Sequence, residues 1–257
     1  NRIIITGQFA RPGGTPTGDL LTLQQLFDQA GATSATFFTN AINTESKGKD
    51  FIVSNRFRFN NFMLKTDLAG TVSKTSKTGG IKASEILEKT GNLNNYFNEA
   101  SRIYLESAVP RTKLAFINTL TTGKFEIFMR QTLFGQVTDP NTADVNADGF
   151  EEGAFINGQF IAVEHPKGDA RTVTDFSVGY KINKRFRITI GANNVFDLYP
   201  DKNLKIQTAA RPLLAGGYGT PTTIDLSNAN QFEFSRNVSQ FGFNGRFVFA
   251  RLNVSLK

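Results

Sequence analysis

The stretch Val248 to Leu256 constrains this chain more than any other. Val248, Ala250, Leu252, Val254 and Leu256 share one parity, and Phe249, Arg251, Asn253 and Ser255 share the other. Side chains alternate along extended backbone, so this is a strand with one wholly apolar face and one face suited to water. The stretch as a whole is close to the ~10 residues that a strand needs to cross hydrocarbon, and its apolar face carries no charge. Such a strand fits the wall of a membrane β-barrel, where lipid takes one face and a wet interior takes the other.

Composition agrees with that geometry and excludes others. Of the residues, 39% are hydrophobic and 20% charged, which is not a disordered composition. No segment approaches the ~18 uninterrupted apolar residues of a membrane helix, so any spanning must be done by strands. Phe is abundant at 25 residues, which suits a lipid-facing surface, although Trp is absent and Tyr numbers only 5. There is no Cys, in keeping with an envelope protein that avoids oxidative pairing. The net charge, 29 − 22 = +7, is spread over strands and loops rather than gathered on one face or helix, so nucleic acid is not an expected partner. Asn1 leads directly into the strand-like Arg2 to Phe9, and the chain is expected to be the C-terminal piece of something larger.

Joints between segments alternate between short and long. Asn60-Asn61, Thr122-Gly123 and Asn183-Lys184 are tight-turn sequences, because Asn and Gly tolerate the backbone conformations that such turns require. Long connections occupy roughly 11 to 33, 77 to 108, 138 to 172 and 198 to 236, and the alternation matches short periplasmic turns and long external loops. About eight strands are predicted, over 2 to 10, 34 to 59, 62 to 76, 111 to 121, 124 to 137, 173 to 182, 186 to 197 and 238 to 256, the second with a break near Asn43 or Gly48. Several exceed ten residues, whereas soluble strands average about five or six. Period two is clearest where Phe186, Ile188, Ile190 and Ala192 oppose Arg187, Thr189 and Asn193. Ile52 and Phe128 fall on the polar side, and Asn55, Thr66 and Gln131 on the apolar one. A short helix, Ser84 to Lys89, is expected in the second long connection.

Several segments, in order, resemble TonB-dependent outer-membrane receptors, Bacteroidetes-type members in particular. They are Phe37 to Thr44 followed by Gly48-Lys49-Asp50, Pro110 to Lys113, Arg130 to Gly135, Gly191-Ala192-Asn193-Asn194-Val195-Phe196-Asp197-Leu198-Tyr199-Pro200, and the terminal strand itself. The resemblance implies an all-β fold: an antiparallel transmembrane β-barrel of about 22 strands with a plugged lumen, residues 1–257 supplying about eight C-terminal strands. It further implies an upstream plug domain and a TonB-type energy-coupling partner. The expected setting is the bacterial outer membrane and its lipid, and the expected activity is import of a scarce small-molecule ligand such as an iron chelate or cobalamin.

Two constellations remain. Asp144, Asn146 and Asp148, with the Phe150 carbonyl and Glu152, place oxygens at the alternate positions of the first half of a calcium-binding loop. Phe155 stands where the closing bidentate Glu should be, so a structural calcium ion and an ordinary solvated turn both stay open. Arg56, Arg58, Lys65, Asp67, Glu126, Arg130 and Arg187 are expected to line the lumen, either pairing with one another or contacting an anionic ligand. No enzyme is expected, because no nucleophile, base and oxyanion group can be named together. His165 reads as a loop residue, and Ala215 to Gly219 as a loop without a phosphate-binding context. The competing readings are a passive channel or structural barrel within a larger envelope complex, a glycan importer of the same family, and a soluble β-sandwich.

Overall fold

Three tight turns organise the chain. Asn60, at φ 44°, and Gly123, at φ 54°, occupy the left-handed region that Asn tolerates and Gly enters freely. At the third, the Asn183 side chain accepts hydrogen bonds from the backbone N–H groups of Arg185 (2.8 Å) and Phe186 (3.0 Å), so the side chain holds the reversal. The computed structural model describes residues 2–10, 25, 27–31, 34–82, 97–140, 153–156, 159–162, 167–203, 205–207, 223–225 and 227–255.

The strands are β1 (Arg2–Ala10), β2 (Ser34–Phe59), β3 (Phe62–Thr78), β4 (Thr112–Thr122), β5 (Phe125–Phe134), β6 (Val137–Thr138), β7 (Gly153–Ile156), β8 (Gln159–Ala162), β9 (Lys167–Gly168), β10 (Arg171–Lys181), β11 (Phe186–Asn193), β12 (Lys205–Gln207), β13 (Thr223–Asp225) and β14 (Phe247–Val254). Eight of them form one antiparallel sheet in the order β1-β2-β3-β4-β5-β10-β11-β14. The short strands pair off in the long connections as β6 with β9, β7 with β8 and β12 with β13. The main strands thus follow one another as a meander, the connectivity of a section of outer-membrane barrel wall. Among the described residues the sheet is open, with β1 and β14 at its edges.

Eight main strands match the sequence reading, with departures in their bounds, one being that the strand expected over 186 to 197 ends at Asn193, where the Asn194 side chain turns the chain into a corner. β2 runs unbroken through Asn43 and Gly48 for 26 residues, because β3 pairs with it continuously from Asn43↔Thr78 to Phe59↔Phe62. The last strand starts at Phe247 rather than near 238, since residues 238–246 leave the ladder to run over the end of the sheet. A helix, α1 (Glu99–Glu106), also lies in the second long connection; Asn98 caps it by accepting the Ser101 N–H at 2.8 Å. The helix expected at 84–89 falls outside the described residues.

The register sorts the side chains into two faces. Rows such as Phe57, Leu64, Leu120, Ile127, Val178, Ile190 and Ala250 run across seven strands on one face. Among the described residues no second layer covers them: Phe186, Ile188 and Ile190 are 39%, 37% and 57% exposed. The described residues that are buried and apolar, Phe27, Ala41, Ile42, Phe97, Ile103, Ala108 and Val137, belong to the long connections or to the ends of the strands that lead into them. There α1 docks through Glu106 on the Lys77 N–H (3.2 Å) and through the Ser107 carbonyl, which accepts from Thr138 N–H (2.9 Å). On β2 the apolar face extends from Phe51 to Phe59, about 27 Å along the strand, or about 20 Å in height at a barrel's usual tilt. Beyond it the β2–β3 arm turns polar, with Lys47 opposite Lys74 and Ser46 hydrogen-bonded to Thr75 at 2.8 Å.

The same end of the sheet is tied by the segment after β11. The Asn194 amide accepts from Leu198 N–H (2.9 Å) and donates to the Leu198 carbonyl (2.7 Å), closing a tight corner at φ 50°. Asp197 accepts from the Arg246 N–H at 2.7 Å and so fixes the entry to β14. Gly245, at φ 64°, passes against the Tyr199 hydroxyl and the Asp197 carboxylate, where a Cβ would overlap both. Gly245→Ala is therefore expected to lower unfolding stability by about 1–3 kcal/mol or more. Gly242→Ala, which meets nothing within 4 Å, should stay within about 0.5 kcal/mol of wild type. Thermal unfolding in detergent followed by circular dichroism separates the two, and equal midpoints would refute the close-approach argument.

Candidate functional site

Opposite the apolar face, the register gathers the charges. Ser54, Asp67, Ile117, Arg130 and Asp175 form one row, with Asn193 and Phe247 paired on the neighbouring strands, and Arg58, Met63, Thr121, Glu126, Gly179, Thr189 and Arg251 form another. All seven residues named from sequence, Arg56, Arg58, Lys65, Asp67, Glu126, Arg130 and Arg187, share this face. The apolar residues expected among them are there too: Ile52 is 77% exposed, and Phe128 occupies the row of Arg56 and Lys65.

Most of these charges are paired. Lys65 contacts Asp67 at 2.7 Å, and Asp67 also accepts from the Ser54 hydroxyl at 2.6 Å, which bridges β2 and β3. Arg187 reaches Glu126 across the intervening strand β10. Gly179 makes that reach possible, since a Cβ there would meet the Arg187 guanidinium at 3.0 Å. Arg130 donates through Nε to Asp175 at 2.8 Å on the neighbouring strand. Arg171 pairs with Asp201, whose second oxygen accepts the Asp169 N–H at 2.8 Å.

Asp175 is the member that sequence reasoning missed. Only 7% exposed, it also accepts the Asn194 N–H at 2.9 Å, so it joins the charged face to the corner after β11. The signal was present, because Asp175, Ser177, Gly179 and Lys181 alternate with Phe176, Val178 and Tyr180. Arg251 and Asn253, on the wet parity of the terminal strand, join the same face beside Thr189 and Arg187.

Above this face, Gln240 is buried and its amide nitrogen donates among the carbonyls of Gly135 (2.6 Å), Asp169 (2.9 Å) and Gly168 (3.2 Å). One side chain thereby ties the chain ahead of β14 to the ends of β5 and β9. The calcium-like set Asp144, Asn146, Asp148, Phe150 and Glu152 lies outside the described residues, as do His165 and 215–219. Among the described residues no three acidic, His or Cys side chains gather to hold a metal ion.

No protein-family model matches the chain, and no curated protein matches it. Among solved structures it is similar to the FpvAI–pyocin S2 complex, at 12% identity and a TM-score of 0.41 over 89% of this chain and 22% of that chain. It is also similar to the ferric yersiniabactin uptake receptor FyuA from Yersinia pestis, at 13% identity and a TM-score of 0.39 over 86% of this chain and 26% of that one. The chain thus spans about a quarter of the length of these structures.

Removing Asp175 leaves Arg130 without its carboxylate and the Asn194 N–H without its acceptor. Asp175→Ala should cost about 1–3 kcal/mol, the usual penalty for an unmet buried partner. Glu45→Gln, in the exposed Lys47–Glu45 pair, should cost less than about 1 kcal/mol. Denaturant midpoints of the two variants in detergent provide the comparison, and an unaffected Asp175→Ala would remove this residue from its bracing role.

Proposed function

We propose that this chain forms part of the wall of a TonB-dependent outer-membrane receptor. The observation that carries the reading is the two-faced sheet: a continuous apolar face left uncovered, backed by a face of paired charges. In water the apolar face would be a heavy burden. Phe57, Phe59, Ile188, Ile190 and Leu252 are each between about a third and three-fifths exposed, and full burial of such a side chain contributes about 1.5–3 kcal/mol. Leaving these five half-wet forfeits several kcal/mol, comparable with the roughly 5–15 kcal/mol that holds a typical domain together. Lipid removes that cost and equally accounts for the charges on the opposite side, which then border a water-filled interior.

The family resemblance in the sequence supplies the activity. In this reading the open edges at β1 and β14 join further strands of an about 22-stranded barrel. A plug domain sits inside, and a TonB-type protein supplies energy from the periplasmic side. External loops capture a scarce ligand, an iron chelate or cobalamin, and the plug moves to admit it. Lipid, the energy-coupling protein and the small-molecule ligand are the partners.

Depth-dependent fluorescence quenching tests the wall. A fluorophore on Ile190→Cys should be quenched severalfold by nitroxide-labelled lipid, and one on Thr189→Cys should respond to aqueous iodide instead. Equal responses at these neighbours would sink the membrane reading. Uptake tests the activity: cells lacking the protein should lose energy-dependent uptake of radiolabelled cobalamin, or of labelled iron under iron limitation. Unchanged uptake of both would leave a barrel without the proposed transport.

A further inference from the structure

Between β5, β10, β11 and β14 the charged face holds a concavity of about 340 Å³, within the range of small-molecule sites. Its shape follows from one row of the register, Phe128, Ser177, Gly191 and Phe249. Ser177 lines the floor, and Gly191 beside it carries no side chain. An aromatic ring stands at each end, with Cα positions roughly 14 Å apart across three strand spacings. A Cβ at Gly191 would overlap the Ser177 side chain, the Phe176 carbonyl at 2.7 Å and the Phe249 ring tip at 2.8 Å, so Phe249 leans over a position that carries no side chain.

Polar groups border this slot on both sides. Toward the long connections lie the Arg130–Asp175 pair and Asn193; toward the tight turns lie Arg187–Glu126, Thr189 and Arg251. Arg130, Arg187 and Arg251 face only Glu126 and Asp175, which leaves one positive charge in excess. The excess belongs to Arg251. Among the described residues no carboxylate pairs with it, and its guanidinium lies 5.8 Å from the ring centroid of Phe249. Asn253, two positions further along the same parity, adds an amide donor.

We infer that this slot binds a small aromatic carboxylate, its ring between Phe128 and Phe249 and its carboxylate on the Arg251 fork. Arginine presents planar paired donors that match a carboxylate, and the aromatic walls favour a flat apolar body over a hydrated inorganic anion. The inference rests on the reading that this face borders a watery interior, which the quenching experiment at Ile190 and Thr189 decides separately. On that reading the site lies part-way down the wall, where it would hold a passing solute rather than capture it at the loops.

The probe is 4-fluorobenzoate, followed by ¹⁹F line broadening on the detergent-purified protein, with folding verified for every variant by circular dichroism. Saturable binding is expected. Arg251→Gln should weaken it roughly tenfold or more, as loss of a charge-assisted contact does. Asn253→Asp, which places a negative charge beside Arg251, should weaken it comparably, and Phe128→Ala severalfold. The uncharged 4-fluorobenzyl alcohol should bind far more weakly, and acetate should compete poorly. The proposal is overturned if folded protein shows no saturable binding, if Arg251→Gln binds as wild type does, or if the alcohol or acetate matches the benzoate.

Discussion

Every feature of this molecule depends on one constraint: an extended backbone points successive side chains to opposite sides, and here the two sides require different solvents. The alternation is kept in register across seven strands, so local pattern becomes two continuous surfaces. A slip of one residue in any pairing would carry a whole strand's charges onto the apolar face. The pairs Arg130–Asp175 and Arg187–Glu126 act against such slips, because each joins different strands in the present register, and Asp67, paired with Lys65 within β3, adds a hydrogen bond from Ser54 on β2. Charge pairing on the wet face is thus a means of specifying alignment, even where each exposed pair contributes little energy.

The apolar face has its own exceptions, and two of them meet through a hydrogen bond. Asn55, Thr66 and Asn118 share a row in the middle of the apolar band of β2, β3 and β4. Thr66 donates to the Asn118 carbonyl oxygen at 2.8 Å, which satisfies both groups across the strand pair. Polar groups facing hydrocarbon are tolerable when they meet one another, and direct opposition in an antiparallel ladder brings them to that distance.

Much of this was legible in the sequence because period two is a local signal. The eight main strands and the common face of all seven charged residues could be read from parity, and the three tight turns at Asn60, Gly123 and Asn183 from their Asn and Gly residues. What parity does not carry is contact between distant segments. The continuity of β2 depended on the length of β3 opposite it. The irregular path of 238–246 depends on Gln240 finding the carbonyls of Gly135, Gly168 and Asp169, more than sixty residues away in the chain. The roles of Asn194 and Asp197 likewise became visible only with their partners Leu198 and Arg246 in place. Asp175 was overlooked for a different reason, since its strand was delimited but its two faces were not separated.

Glycine within these strands shows how a locally weak residue can be a global asset. A strand glycine has no side chain to pack and loses more conformational freedom on folding, so by propensity Gly179 and Gly191 should weaken β10 and β11. Yet both lie on the charged face, and each yields its space to a neighbour: Gly179 to the Arg187 guanidinium on its way to Glu126, and Gly191 to the ring of Phe249. A larger residue at 179 would block a cross-strand ion pair, and one at 191 would collide with Ser177, the Phe176 carbonyl and the ring of Phe249. The two glycines therefore admit Arg187 and Phe249 to their positions, while Phe128, Phe249 and Arg251 set the chemistry of the concavity. Recognition on a flat sheet requires relief, and here the relief comes from side chains left out.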